Sequence, residues 1–360
     1  MNQLQLFLPC AAGVEDYLAA EVTRITGIDR PALRPLRGGV QLPGAWRDVL
    51  ALNLHSRLAQ RVLVELAHGE YRTEQDLYDR AAQVAWEAWF TPRQSFKIEI
   101  TAQHCPLKSL NFAALKVKDA LADRFRHKTG VRPDVQTRWP DVRVYVHLSA
   151  THQTLYIDTS GEALFKRGWR TDKGDAPLKE TLAAALLAAS GWDGQSPLYD
   201  PCCGSGTIAI EAAQIACQIA PGSQRHFGFE KLLPYQSHVW AGIKAEAKSA
   251  ERPSGAPIFG SDVSHRMVDF AMRNAERAGV AQAIELRGGD ALQRLAPCAG
   301  PGTLLLNPPY GDRIEAAGFA GASQARSGGR ETAWLDPTAP DISPGADPDD
   351  APQDAFFRLL

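Results

Sequence analysis

The chain has 360 residues, 44% of them hydrophobic and 22% charged, enough apolar material for about two to three globular domains, which excludes a chain disordered throughout and a collagen-like one. Its formal charge of −2 hides an asymmetry: residues 1–170 carry a net +5, residues 171–315 a net −3 and the remainder a net −4. No stretch reaches the roughly 18 consecutive apolar residues of a membrane span, residues 1–9 lack a signal-peptide layout and the six cysteines show no CxxC spacing, so a cytoplasmic protein without membrane anchor, disulfide framework or structural zinc is expected.

In chain order, residues 4–8 read as a strand, and Val14, Leu18, Val22 and Ile25 recur at helical spacing until Gly27 stops the helix. Residues 31–42 read as extended and 45–55 as a second helix, giving a small α+β module over residues 1–56. A second module, 57–160, continues with a strand (61–67), a helix (73–86), a strand (95–102), a long helix (111–129) and two closing strands. In the first of the closing strands Val142, Val144, Val146 and Leu148 alternate with Arg143, Tyr145 and His147, so one face is buried and one wet. The long helix carries Lys116, Lys118, Arg124, Arg126 and Lys128 and is expected to give Leu115, Leu121 and Phe125 to a core. Residues 93–143 hold 11 basic against 5 acidic side chains. Such a helix beside a sheet suits a phosphate backbone, although an ordinary solvated face carries the same pattern.

Residues 161–177 read as a linker containing Lys166, Arg167, Arg170 and Lys173. An Ala/Leu-rich helix follows over 178–190, after which short apolar runs alternate with helices as βαβ units require. The strands are 197–200, 258–262, 283–286 and 303–307; the helices are 207–217, an insertion over 234–250, and 264–278 with Ser264 as N-cap and Gly279 as stop. This half reads as a doubly wound parallel sheet. Residues 316–355, with 10 Ala, 5 Gly and 5 Pro and no sustained periodicity, read as disordered or loop-like.

The sharpest motif is Asp200-Pro201-Cys202-Cys203-Gly204-Ser205-Gly206-Thr207, between the first of these strands and its helix. Its glycines let the backbone turn tightly at the carboxyl end of the strand, where α/β sheets place ligands, and bring N–H groups against a polar ligand. A dinucleotide fingerprint needs glycine where Ala209 stands, and no GxxxxGK[ST] occurs, so a nicotinamide cofactor and an NTP are both disfavoured. Asp262 ends the second strand, where a carboxylate can accept from both hydroxyls of a ribose, and Asp290 follows the third, suited to the exocyclic amine of adenine. Their recurrence after successive strands points to one ligand-binding edge.

Asn307-Pro308-Pro309-Tyr310 ends the fourth strand. Consecutive prolines fix φ and lack N–H groups, which frees the Pro308 carbonyl to face a substrate. With the Asn307 side-chain oxygen it can accept both N–H bonds of a nucleobase amine and turn the nitrogen lone pair out of the ring towards an electrophile. Positioning of this kind gains on the order of 7–11 kcal/mol. Tyr310 would stack on the base, which must be unpaired or flipped at a cost of roughly a few kcal/mol. A cysteine nucleophile at Cys202 or Cys203 is the weaker alternative, because no histidine lies in that loop.

The Asp200–Thr207 loop together with Asn307-Pro308-Pro309-Tyr310 resembles the S-adenosylmethionine-dependent amino-group methyltransferases, and the front half resembles their THUMP RNA-binding module with its N-terminal ferredoxin-like companion. Leu164-Phe165-Lys166-Arg167-Gly168-Trp169-Arg170 and Pro177-Leu178-Lys179-Glu180-Thr181-Leu182-Ala183 extend the resemblance to the bacterial 23S rRNA guanine-N2 methyltransferases of the RlmL type, over residues 1 to about 315. The resemblance implies an α/β fold: a ferredoxin-like domain (1–56), a THUMP domain (57–160), a linker (161–177) and a Rossmann-like class I methyltransferase sheet (178–315). It implies S-adenosylmethionine as cofactor and methylation of one guanine near the peptidyl-transferase region, with 23S rRNA or a large-subunit precursor as partner and neither membrane nor metal. By position, Asp200, Gly204 and Gly206 would hold the methionine end, Asp262 the ribose and Asp290 the adenine. Cys202, Thr181 and Glu180 would line the pocket, and Asn307, Pro308, Pro309 and Tyr310 would grip the base. Lys116, Lys118, Arg124, Arg126, Lys128, Lys166 and Arg167 are the cations expected to meet RNA.

Related enzymes continue through further strands where this chain has residues 316–355 and then Phe356-Phe357-Arg358-Leu359-Leu360, which reads as the start of a helix (356–360). The sheet is therefore expected to be incomplete at its C-terminal end, the product truncated or frameshifted, with the edge beside the Asn307 strand exposed. Two alternatives stay open: a DNA adenine-N6 methyltransferase, which would use the same Asn-Pro-Pro-Tyr chemistry, and a non-catalytic rRNA-binding or ribosome assembly factor.

Overall fold

A computed structural model describes residues 3–174 and 177–308. The chain divides into units of residues 1–306 and 307–360; of the second, Asn307 and Pro308 are described, and the expected segments 316–355 and 356–360 lie outside the described residues.

The front half runs β1 (Leu4–Pro9), α1 (Glu15–Thr26), β2 (Arg34–Leu36), β3 (Gly39–Gly44) and α2 (Trp46–His55), then β4 (Leu63–Glu70), α3 (Glu74–Gln83), β5 (Phe96–Ala102), α4 (Leu110–Thr129), β6 (Val142–Leu148) and β7 (His152–Asp158). A single sheet, in the order β2-β3-β1-β4-β7-β6-β5, takes in all seven strands. The sequence division at residue 57 is thus no break in the sheet, because β1 pairs antiparallel with β4, Leu6 opposite Val64 and Phe7 opposite Leu63. The other neighbours are antiparallel too, except β5 and β6, which run parallel with Ile98 opposite Val144; α4 supplies the crossover that parallel pairing demands.

Leu6, Leu8, Val40 and Leu42 on the strands and Leu18, Val22, Val49 and Leu50 on α1 and α2 are buried together as one face of this sheet is covered. Each such aliphatic side chain contributes about 1.5–3 kcal/mol, more than a surface ion pair. The alternation in β6 holds, with Val142, Val144, Val146 and Leu148 buried. Two expectations are corrected. The helix expected over 73–86 ends at Gln83, where Val84 turns extended, and Trp86 is buried in a separate short turn. Leu115 does not enter the core: α4 buries Ala113, Val117, Ala120, Leu121 and Phe125, and Leu115, two residues or about 200° round the axis from Ala113, is 49% exposed.

The second half runs α5 (Glu180–Ala189), β8 (Leu198–Asp200), α6 (Thr207–Ala216), α7 (Ser237–Ser249), β9 (Ile258–Asp262), α8 (His265–Arg277), β10 (Ile284–Gly288) and β11 (Thr303–Leu304). Its four strands are all parallel, in the order β10-β9-β8-β11. The expected strand 303–307 is regular only to Leu304, although Leu305 N still donates to Tyr199 O at 3.0 Å. Leu198 and Ile258 from the strands pack with Ile208, Ile210, Ala212 and Ala213 of α6 and Ala275 of α8. The small residues of α6 are what let a helix lie this deep. Strand order reverses at β8, so the carboxyl ends of β8 and its neighbours border the crevice where such sheets take ligands. Among the described residues no helix is long and apolar enough to cross a membrane.

Candidate functional site

Between the end of β8 at Asp200 and the start of α6 at Thr207, the motif forms a turn pinned to β9. Cys203 N donates to Ser261 O at 2.9 Å, Gly206 N to Cys203 O at 2.8 Å and Gly204 N to Asp262 Oδ2 at 2.9 Å. Ser264 N donates to Asp262 Oδ1 at 2.9 Å, so both carboxylate oxygens of Asp262 are fixed in direction and each keeps a free lone pair. The two glycines do different work. At Gly206, φ is 89° and a Cβ would meet Ala271 Cβ at 3.0 Å, so glycine is what lets α6 lie against α8. At Gly204, φ is 51° and a Cβ would meet nothing within 4 Å; the backbone there stands open to an approaching group.

Asp200 is 1% exposed. Its carboxylate accepts from Cys202 N at 3.2 Å, and burial, with the neighbouring Asp262 adding to it, pushes its pKa up to about 7. A cation brought beside it would offset this burial and favour the carboxylate form. The half-buried Cys202 thiol is pushed up by burial and then by Asp200, Asp262 and Asp290 in turn, which places three carboxylates around one side chain. That field disfavours a thiolate, and burial pushes the Cys203 thiol up as well, so the cysteine-nucleophile alternative loses its electrostatic support. Asp290 lies two residues past β10 and is half-buried, with Oδ1 accepting from Leu292 N at 2.9 Å. Glu180 and Thr181 are buried at the start of α5.

Asn307 is half-buried and Pro308 exposed within the second unit, while Pro309 and Tyr310 lie outside the described residues. Sequence reasoning left Arg170 as one linker cation among several, yet its guanidinium bonds Ser205 Oγ, Thr207 Oγ1 and Glu180 Oε1. Its place in Gly168-Trp169-Arg170, next to the other quoted segments, was the only signal.

One of the cations expected to meet RNA is corrected. Arg167 is 2% exposed; Nε pairs with Glu211 Oε1 at 3.0 Å, and Nη1 and Nη2 donate to Leu164 O and Arg57 O at 2.8 Å. Arg57 Nη1 in turn pairs with Glu211 Oε2 at 3.1 Å. The buried carboxylate on α6 needs these cations, because a charge taken out of water is tolerated only when paired; the expected linker therefore clasps the two halves of the first unit. Arg124 grips Glu87 through Nε at 3.1 Å and Nη2 at 2.6 Å, fixing α4 to the turn after α3. Lys118 pairs with Asp119 at 2.9 Å, Lys166 with Glu162 at 3.0 Å, and Lys116 Nζ sits 5.6 Å from the Phe112 ring centre. Arg126 and Lys128 are exposed in the last turn of α4.

Comparison with known proteins agrees with this architecture. The family described as RMKL-like, methyltransferase domain, matches residues 167–322, the THUMP domain residues 71–158 and the RlmL ferredoxin-like domain residues 5–63. A protein of Listeria monocytogenes str. 4b F2365, described as a predicted N6-adenine-specific DNA methylase, is 32% identical with a TM-score of 0.79 over 87% of this chain and 82% of that one. The chain belongs to the family of THUMP-bearing methyltransferases. The family's plan is the one the sequence implied, ferredoxin-like and THUMP domains followed by a methyltransferase α/β fold. SMU.472, whose crystal structure holds SAH, is 28% identical with a TM-score of 0.78 over 88% of this chain and 83% of that one. The ribosomal RNA large subunit methyltransferase K/L of Psychromonas ingrahamii is 40% identical over 317 residues, 86% of this chain and 42% of that protein, so the chain spans less than half the length of this relative.

Proposed function

We propose that the chain transfers a methyl group from S-adenosylmethionine to the exocyclic N2 of a guanine in 23S rRNA, acting on the rRNA or a large-subunit precursor in the cytoplasm. The observation that carries the proposal is the buried Asp200 carboxylate at the end of β8, grouped with Asp262 and Asp290 around Cys202 beside the open backbone of Gly204. The residues present fit the cofactor. Asp200 with Gly204 and Gly206 would take the cationic methionine end, Asp262 the ribose hydroxyls and Asp290 the adenine amine, with Cys202 and Thr181 at the rim. When bound, S-adenosylmethionine supplies an electrophilic methyl carbon on a sulfonium.

Asn307 Oδ1 and the Pro308 carbonyl accept the two N–H bonds of the target amine, turn its lone pair outward, and bear the positive charge that grows on nitrogen; transfer would leave S-adenosylhomocysteine, and the amine proton passes to water. Pro309 and Tyr310, outside the described residues, are assigned from the sequence alone to hold the segment and to stack on the base. The THUMP match over residues 71–158 and the name of the P. ingrahamii relative support an rRNA substrate. The description of the Listeria relative supports the second reading, an adenine amine in DNA, but the basic front half of net +5 ahead of the catalytic domain favours RNA. Mapping methylated guanines in 23S rRNA from cells with and without the gene tests the proposal. One N2-methylguanosine is expected to disappear without it; an unchanged map contradicts it.

A further inference from the structure

The guanidinium of Arg170 bridges one turn from three directions. Nε donates to Glu180 Oε1 at 2.7 Å, Nη1 to Ser205 Oγ at 2.8 Å and Nη2 to Thr207 Oγ1 at 2.7 Å, and the group lies 4.9 Å from the Trp169 ring centre. All three acceptor residues are buried. Ser205 stands between the two left-handed glycines and Thr207 is the first residue of α6, so a single planar fork holds both the turn and the helix start. A second tie fixes the main chain of the same residue: Asn274 Nδ2 donates to Ser205 O at 2.9 Å and to Asp172 O at 2.8 Å. The Asp172 carboxylate is itself held by Arg273 at 2.9 Å and Arg277 at 2.6 Å. Thus the strap arriving from the front half is fastened to the loop through Ser205 twice. The bonds of Arg170 go to hydroxyls of the loop, to Glu180 and, from Nη2 at 3.4 Å, to Leu178 O, not to Asp200, Asp262 or Asp290.

We propose that Arg170 is a positioning residue for the cofactor loop: acting through Ser205 and Thr207, it holds the Gly204-Ser205-Gly206 turn in the shape that receives the cofactor and ties that shape to the strap from the front half. This rests on the reading of the loop as the S-adenosylmethionine site. Lysine cannot do the same work, since a compact ammonium lacks the planar fork needed to reach Glu180, Ser205 and Thr207 together.

The test is calorimetric titration of S-adenosylmethionine and S-adenosylhomocysteine into the 360-residue chain and its Arg170→Lys, Arg170→Ala and Arg143→Ala variants, with melting temperature and rRNA affinity measured on the same samples. Arg143→Ala breaks ion pairs to Glu99 and Glu162 in the front half and controls for lost stability. Both Arg170 variants are expected to weaken S-adenosylmethionine binding by roughly 10- to 100-fold, the size of lost hydrogen bonds to a charged group, with rRNA affinity held within about twofold. Arg143→Ala should melt earlier and bind the cofactor as the wild type does. Ser205→Ala combined with Thr207→Val removes the two receivers and should reproduce the loss, which keeps the test intact if Arg170→Ala does not fold. A folded Arg170→Ala or Ser205→Ala/Thr207→Val protein that binds within about twofold of wild type overturns the assignment, as does an equal loss in Arg143→Ala. A wild-type chain that binds neither ligand overturns the functional reading beneath it.

Discussion

Asp200 is a weaker acid than an ordinary aspartate for two reasons, burial first and Asp262 second, which together lift its pKa to about 7. An aspartate in the unfolded chain titrates near 3.9, so the folded state holds the proton more tightly and the carboxyl favours folding only while it is neutral. That contribution is fully present below about pH 4, falls as pH rises and is gone above about pH 7, a swing on the order of a few kcal/mol. Asp200→Asn removes the titration. In urea unfolding its stability relative to wild type should therefore climb between about pH 4 and pH 7 and then level off; a difference that ignores pH would contradict the burial argument. Gly206 makes a second residue-scale case. Its Cβ would collide with Ala271 at 3.0 Å in a left-handed backbone, so Gly206→Ala should cost about 1–3 kcal/mol of unfolding free energy. Gly204→Ala faces open space and should cost only the strain of its backbone, about 1 kcal/mol, while weakening the cofactor site more than the fold. The three aspartates were legible in the sequence because parallel strands deliver their ends to one edge; the raised pKa of Asp200 was not, since burial is a property of the packed sheet.

At the scale of elements, α4 and the strap before α5 show where charge patterning misleads. A lysine or arginine inside a basic stretch reads alike whether it faces solvent or a buried acid, and only tertiary packing separates Arg167, locked on Glu211, from Arg126 and Lys128, exposed on the last turn of α4. Arg167→Ala should lower the unfolding free energy by about 3 kcal/mol, because it takes one of two cations from the buried Glu211 carboxylate and leaves it to Arg57, and the protein that remains folded should bind rRNA as before. Replacing Arg126 and Lys128 together by alanine should leave stability within about 0.5 kcal/mol while weakening rRNA binding and flattening its salt dependence by about two counterions. Chemical unfolding and filter binding at several salt concentrations measure both. If the second pair leaves rRNA affinity and its salt slope untouched, α4 is not the contact. Leu115 was misread for a related reason: apolar residues line more than one side of α4, and the α3 and sheet contacts choose the stripe of Val117, Leu121 and Phe125.

For the whole molecule, the alternation of strands and helices made the parallel β10-β9-β8-β11 sheet legible, since βαβ units have few ways to lie down. The seven-stranded front sheet was not, because the pairing that unites its modules, Leu6 with Val64, joins residues far apart in sequence and leaves no local trace. The charges of the two halves, net +5 over residues 1–170 and net −3 over residues 171–315, suit the proposed division of labour. On the proposed reading a polyanion is drawn to the first and the carboxylates of the second receive the cofactor's cationic end. Transfer of labelled methyl from S-adenosylmethionine to deproteinised 23S rRNA, run beside duplex DNA and followed by nucleoside digestion, tests this most directly. Label in N2-methylguanosine from the rRNA alone, abolished by Asn307→Ala, is the predicted result; label in DNA adenine, or transfer that survives Asn307→Ala in full, would contradict it.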